Sequence, residues 1–232
     1  MFFAVFALSA GIFLIFPQID LWFSALFYNP VDQFFLKDRS FCLFIYRSVE
    51  ILAIVLVSGF PLLLLLAVVF QKPILHLNRR HLIYLLLALA LGPGLLVNVV
   101  LKDHWGRARP DQIERFGGTR RFTPAFVISR ECDRNCSFVS GHASVGFSLV
   151  SIAFLLRRHR KKSVALAISY GFLIGFIRIL QGSHFASDVV FSFFAVYVVA
   201  KGLFILMVKK HEVAEGRLAP GDVLKPVTDE KR

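Results

Sequence analysis

Residues 51–70 read ILAIVLVSGFPLLLLLAVVF, a run from Ile51 to Phe70 without one charged side chain. An α-helix rises about 1.5 Å per residue, so about 20 apolar residues match the roughly 30 Å hydrocarbon core of a bilayer. Backbone amides in lipid find no water, and a helix satisfies them within the segment. The same reading applies to Met1–Phe16, Leu82–Leu101, Ala143–Leu156 with an extension at its N-terminal side, Ser163–Leu180 and Phe185–Val208. The expected fold is therefore all-α, a polytopic membrane protein with six transmembrane helices. Composition agrees: 56% of the 232 residues are hydrophobic and 26 are Phe, which sets the chain apart from soluble globular proteins. The length accommodates one membrane domain, placed over 1–211, and no sizeable soluble one. The segment 212–232, with mixed charges and Pro220, Gly221 and Pro226, reads as a flexible cytoplasmic tail.

Met1–Phe16 is apolar at once and lacks the basic start and small-residue cleavage pattern of a secretory signal, so it reads as a retained span. Pro17–Glu50 carries Trp22, Phe23, Phe27, Tyr28, Phe34, Phe35 and Tyr46 among scattered charges, which suits a segment at headgroup level or an ordinary connecting loop. Short positive loops stay in the cytoplasm. Lys72, Arg79 and Arg80 after the second span, and Arg157, Arg158, Arg160, Lys161 and Lys162 after the fourth, therefore place both termini there, with Lys209-Lys210 on the same side. That puts the loop 102–140 outside, although it holds Lys102, Arg107, Arg109, Arg115, Arg120, Arg121, Arg130 and Arg134. Either the topology is inverted or these cations meet a substrate carrying several negative charges, phosphate being the anion that Arg and Lys suit. The net charge of +12 does not indicate nucleic acid, because the cations flank apolar stretches and form no separate basic domain. Cys132 and Cys136 lie close together in that loop and are open to oxidation if it is extracytoplasmic. Two free thiols are the alternative, and Cys42 stands alone.

On this topology Lys102 and Arg109 follow the third span, His142 opens the fourth, Arg178 closes the fifth, and His184 with Asp188 opens the sixth. All reach one membrane face, where ionisable groups point to function. His184 and Asp188, four apart at a helix start, share a face. A carboxylate that accepts the proton of one imidazole nitrogen leaves the other free to attack, as an oriented nucleophile. A His–Asp cap is the plainer reading of that pair in isolation. Ser140-Gly141 precedes His142 where helix amides favour an anion and Gly permits close approach. His142 is placed as general acid, with the Ser140 hydroxyl and nearby amides on the phosphoryl oxygens. Lys102, Arg109 and Arg178 supply fixed positive charge for phosphoryl transfer, so no metal and no cofactor is expected; a zinc set of two His and one Asp would meet repulsion from those cations. Asn98, one turn before Lys102, is expected to bond a catalytic side chain, and Gly92-Pro93-Gly94 to bend that helix. His76, His81, His104, His159 and His211 read as loop or interface residues.

Lys102 with Arg109-Pro110, then Ser140-Gly141-His142, then Arg178 with His184 and Asp188 resemble the three signature blocks of the type 2 phosphatidic acid phosphatase (PAP2) superfamily. The resemblance implies a six-helix membrane bundle, metal-independent dephosphorylation through a phosphohistidine, and an active site on the outer face. It puts the nucleophile at His184, its support at Asp188, the acid at His142, and phosphate holding at Lys102, Arg109, Ser140, Gly141 and Arg178. Val139 stands where the second block usually has Pro, and Ile177 where the third often has Ser; neither change removes a catalytic group. Within the superfamily, Gly92 to Asn98, Lys102 to Pro110 and Cys132 to His142 look most like bacterial lipid A 4′-phosphatases. That likeness implies a polyanionic lipid substrate, a periplasmic disulfide between Cys132 and Cys136, and a multi-pass protein of the inner membrane with its active site facing the periplasm. Hydrolysis of undecaprenyl pyrophosphate or phosphatidylglycerophosphate, a lipid phosphotransferase, and a non-enzymatic lipid-binding or transport protein are the rival readings.

Overall fold

The computed structural model describes residues 2–216 and is built almost entirely of helices. They are α1 (Phe2–Ile15), α2 (Gln18–Ala25), α3 (Ser40–Val69), α4 (Arg79–His104), α5 (Gly141–Leu155), α6 (Arg160–Leu180) and α7 (Ala186–Ala214). Between α2 and α3 lies a small antiparallel hairpin of β1 (Tyr28–Asn29) and β2 (Gln33–Phe34), with Tyr28 opposite Phe34. The expected tail lies outside the described residues from 217 onward, and its first residues, to Ala214, continue α7.

Four helices, α3, α4, α6 and α7, are long and apolar enough to cross a membrane; α1 and α2, bent by 81° at their break, make a fifth if they are one span. Six spans are therefore not reached by length and composition. The sixth candidate, α5, has 15 residues, about 22 Å of helix, short of the hydrocarbon core. Packing explains how it can be short. Most of α5 is buried against α4, α6 and α7, and its N-terminal end abuts protein, while Leu156 and Arg157 at its C-terminal end are exposed. The outer helices instead turn Ile54, Leu62, Leu65, Leu166 and Leu206 outward, an apolar belt as lipid contact requires.

Helix boundaries follow side-chain chemistry more closely than hydropathy. α3 starts at Ser40, well ahead of Ile51, because Cys42, Val49, Leu56, Phe60 and Ala67 form a buried stripe at helical spacing that includes the aromatic-rich segment. Asn78 caps α4 by accepting the His81 amide at 2.9 Å. From Ala90 to Leu101 that helix widens to π-type hydrogen bonding. Pro93 has no amide hydrogen to donate, and its own carbonyl accepts the Asn98 side-chain amide at 2.7 Å. The bend expected at Gly92-Pro93-Gly94 is thus a change of helical register, and Asn98 serves its own helix rather than a catalytic side chain. At one end of the bundle lie the positive loops: Arg80 donates to the Met207 carbonyl and Arg157 pairs with Glu212. The signature residues meet at the other end.

Candidate active site

The C-terminal ends of α4 and α6 and the N-terminal ends of α5 and α7 converge there, with the first turns of α3 beside them. Ser140 caps α5: its hydroxyl accepts the Ala143 amide at 3.4 Å, while its own amide donates to the Asp188 carbonyl at 3.1 Å. This ties the start of α5 to the start of α7. The Ser140 hydroxyl, expected on a phosphoryl oxygen, is fully buried and occupied with the helix cap. Gly141 is the close-approach position. A Cβ there would stand 2.8 Å from Asn98 Oδ1 and 3.2 Å from Lys102 Nζ, so a larger residue would push the Asn98 amide and the lysine amine away from the helix start. Gly182, at φ +67°, makes the turn between α6 and α7 and accepts the Asp111 amide at 2.9 Å, which holds the Arg109-Pro110 turn to the same end.

Lys102, Arg109 and Arg178 carry no ion pair with a carboxylate among the described residues. Lys102 and Arg178 are nearly buried. Arg109 donates to the Asn135 carbonyl at 2.9 Å. Arg178 donates to Gln181 Oε1, its guanidinium carbon lies 4.9 Å from the centre of the Tyr46 ring, and its buried Nε has no hydrogen-bond partner. Buried cations without counter-charge are costly unless an anion completes them. The Tyr46 ring also packs against His142, centroids 4.7 Å apart and tilted by 31°. Tyr46 thus contacts both Arg178 and His142 from α3.

His184 is 1% exposed, in the turn between α6 and α7. Its Nδ1 lies 2.8 Å from the Ser137 carbonyl and 3.6 Å from Asp188 Oδ2. The Nδ1 proton is therefore directed chiefly at a backbone carbonyl, and Asp188 adds its charge at one remove; Nε2 is left with its lone pair. Burial, joined by the charges of Arg178 and Lys102, pushes the imidazole pKa down to about 4 against the opposing pull of Asp188. A neutral imidazole is the form that can attack.

Asp188 is held by partners that local spacing does not reveal. Its Oδ2 accepts the Ser137 hydroxyl at 2.5 Å and the Phe185 amide at 2.8 Å, and its Oδ1 accepts Arg107 at 2.6 Å. Arg107 also donates to Asp20 at 2.8 Å, to Ser187 Oγ at 2.8 Å and to the Thr123 carbonyl at 2.8 Å, and its guanidinium lies over the Phe185 ring. Burial, the largest influence, opposes the charge of Arg107, yet Asp188 and Asp20 together hold its pKa above the usual value. Tyr46, Arg107, Asp20, Ser137 and Gln181 were missed as site residues from sequence. Asp20 had a signal: it is the single charged residue from Phe2 to Val31, and a lone carboxylate in an apolar segment calls for a partner.

The loop before α5 is anchored on the same groups. Cys132 and Cys136 are joined, with Cα atoms 5.6 Å apart, and the Cys136 amide donates to the Lys102 carbonyl at 3.2 Å. Among the described residues no three His, Cys, Asp or Glu side chains are grouped to hold a metal ion.

The PAP2 superfamily matches residues 81–212. The chain is 41% identical over 203 residues to the lipid A 4'-phosphatase of Francisella tularensis subsp. novicida (strain U112), covering 86% of this chain and 91% of that protein. It is 34% identical over 210 residues to the lipid A 4'-phosphatase of Rhizobium leguminosarum, covering 84% and 90%. The lipid A 1-phosphatase of Rhizobium etli (strain ATCC 51251 / DSM 11541 / JCM 21823 / NBRC 15573 / CFN 42) is 39% identical over 98 residues, 42% of this chain and 38% of that protein. No solved structure matches the chain. The family match spans Lys102 to Asp188, the stretch that brings two imidazoles and three cations to one end of a helical bundle; the chain belongs to the PAP2 superfamily.

Proposed function

We propose that this protein is an integral membrane lipid phosphatase that removes a phosphate monoester from lipid A, the 4′-phosphate, through a phosphohistidine. The observation that carries the reading is the convergence of the buried, neutral imidazole of His184 with Lys102, Arg109 and Arg178, cations that form no ion pair with a carboxylate among the described residues. A phosphoryl group supplies what they lack.

In this mechanism the His184 Nε2 lone pair attacks phosphorus while the proton stays on Nδ1, hydrogen-bonded to the Ser137 carbonyl. The bond from phosphorus to the sugar oxygen breaks, and the departing oxygen takes a proton from His142. Water then attacks the phosphorus of the phosphoenzyme, His142 takes one proton from it, the phosphorus–nitrogen bond breaks and its electron pair returns to His184. Inorganic phosphate leaves, and His142 is protonated for the next cycle. Lys102, Arg109 and Arg178 hold the equatorial oxygens, on which charge accumulates in the transition state; the amides at the Gly141 helix start add to them. No step needs a metal or a cofactor.

The substrate choice rests on coverage. The relatives named for the 4'-phosphatase align with this chain over nearly their full length, whereas the one named for the 1-phosphatase aligns over less than half. The domain division proposed is a membrane phosphatase unit over 1–211 and a cytoplasmic tail over 212–232. The protein is proposed to lie in the bacterial inner membrane with both termini cytoplasmic and the active site toward the periplasm, on the positive loops at the end of the bundle remote from the site.

The test is phosphate release by the purified protein from bis-phosphorylated lipid A, undecaprenyl pyrophosphate and phosphatidylglycerophosphate, with the lipid A product examined by mass spectrometry. Loss of one phosphate from the non-reducing sugar is expected, unaffected by chelator and inhibited by vanadate, which adopts the five-coordinate geometry. Release from the pyrophosphate with none from lipid A overturns the substrate, and loss of activity with chelator overturns the mechanism.

A further inference from the structure

Asp20 lies outside the family match, which starts at residue 81, yet it is bonded into the support of the proposed nucleophile. Its carboxylate accepts three hydrogen bonds: Arg107 on Oδ2 at 2.8 Å, the Ser187 hydroxyl on Oδ2 at 2.5 Å and the Ser187 amide on Oδ1 at 2.9 Å. Asp188 likewise accepts three, from Arg107, the Ser137 hydroxyl and the Phe185 amide. One guanidinium therefore bridges two carboxylates, and all three side chains are fully buried. Ser187 joins them a second time, since it receives Arg107 Nη1 at 2.8 Å and donates to Asp20.

In this geometry Arg107 and Asp188 alone would form a neutral pair, in which the guanidinium draws the carboxylate and cancels its charge. With Asp20 on the far side, Arg107 is held from both directions, so its hydrogen bonds and its charge are shared between two carboxyl groups and Asp188 does not have them alone. The charge that Asp188 retains matters beside His184, where positive charge grows on the imidazole as its lone pair bonds to phosphorus. The Ser137 hydroxyl on Asp188 also fixes the residue whose carbonyl accepts the His184 Nδ1 proton. Disturbing the cluster changes both the field at the ring and the ring's orientation.

We infer that Asp20, acting through Arg107 and Ser187, is a positioning residue for the reaction, so that the bent α1–α2 pair is part of the catalytic apparatus as well as of the membrane anchor. This rests on the reading of His184 as nucleophile. It also predicts a selective effect: because the imidazole is charged in the transition state and neutral in the ground state, loss of Asp20 should slow the chemistry without weakening substrate binding.

The test compares Asp20→Asn and Ser187→Ala with the wild type in detergent, alongside His184→Ala. Asp20→Asn replaces an acceptor oxygen of the cluster with an amide group at constant shape. Ser187→Ala removes only the bridging oxygen and is expected to fold whatever happens to the first variant. The expected result is a fall in kcat of tenfold or more for Asp20→Asn and threefold or more for Ser187→Ala, with KM within twofold. Vanadate inhibition should weaken in step with kcat while inhibition by inorganic phosphate stays put, a split that a merely structural defect does not produce. Folded Ser187→Ala with wild-type kcat, or a loss confined to KM or to the amount of folded protein, overturns the inference. If His184→Ala itself retains hydrolysis, the underlying reading has failed instead, and the two failures are told apart.

Discussion

As the proposed nucleophile, His184 has to combine two requirements that pull in opposite directions, since a nucleophile must be neutral and its phosphorylated form carries positive charge. Burial meets the first, and Asp188 at 3.6 Å from Nδ1 meets the second without capturing the proton. The pH consequence follows from the downward shift. Because the folded-state pKa of about 4 lies below the ordinary 6.5, the neutral form persists as pH falls through 6.5 and is lost only as pH nears 4. Over that window the unfolded chain takes up the proton first, so this group contributes stability that is present above 6.5 and declines as the medium is acidified. With p-nitrophenyl phosphate, whose leaving group needs no acid, the initial burst of nitrophenol from His142→Ala should hold its rate to well below pH 6. A burst that halves near 6.5 would show a normal, solvated imidazole. His184→Ala should abolish the burst, a loss on the order of a thousandfold or more, while lipid binding persists.

At the scale of elements, the site depends on joints between helix ends, and the loop before α5 is the longest of them. The Cys132–Cys136 bond closes a tight ring beside the Asn135 carbonyl that receives Arg109 and the Cys136 amide bonded to Lys102. Replacing both cysteines with Ser should reduce stability by about 2 kcal/mol on the chain-entropy scaling for so short a ring. It should raise KM more than it lowers kcat, because Arg109 is the cation held through that loop; an unchanged KM alongside a lower thermal midpoint would confine the bond to folding. The elements themselves were legible in varying degree. α4, α6 and α7 announce themselves through long apolar runs, and Lys102, Arg109, His142, Arg178, His184 and Asp188 through short spacings at their ends. The early start of α3 was not legible, because Tyr46 and Cys42 sit among charges and aromatics that also suit a headgroup-level loop. The inserted register of α4 was read only as a bend. Arg107, Asp20 and Ser137 escaped because their partners are remote: Arg107 is 81 residues from Asp188 and 87 from Asp20, and Ser187 is 167 from Asp20. Hydrophobic periodicity carries no information about which buried charges will meet.

For the molecule as a whole, the separation of charge between its ends gives the proposed orientation a direct check. Arg158, exposed between α5 and α6, and Arg130, exposed in the loop before α5, lie on opposite faces in the proposed orientation. With a cysteine at Arg130 or at Arg158, a membrane-impermeant thiol reagent applied to intact spheroplasts should label the first and spare the second; the reverse pattern would invert the topology. Cys42 is buried, so it should contribute little background.

The 81° break between α1 and α2 has a consequence for where the chemistry happens. If α1 runs along the bilayer normal, α2 lies nearly flat, with Trp22 turned outward at 62% exposure, as suits a ring resting among glycerol and carbonyl groups. The same short helix is bonded through Asp20 to the start of α7. Whatever depth the indole selects is thereby imposed on the imidazole, like the float that sets the height of a valve. A phosphorylated sugar already resting at the water boundary could then be served in place, with its fatty chains never leaving the leaflet.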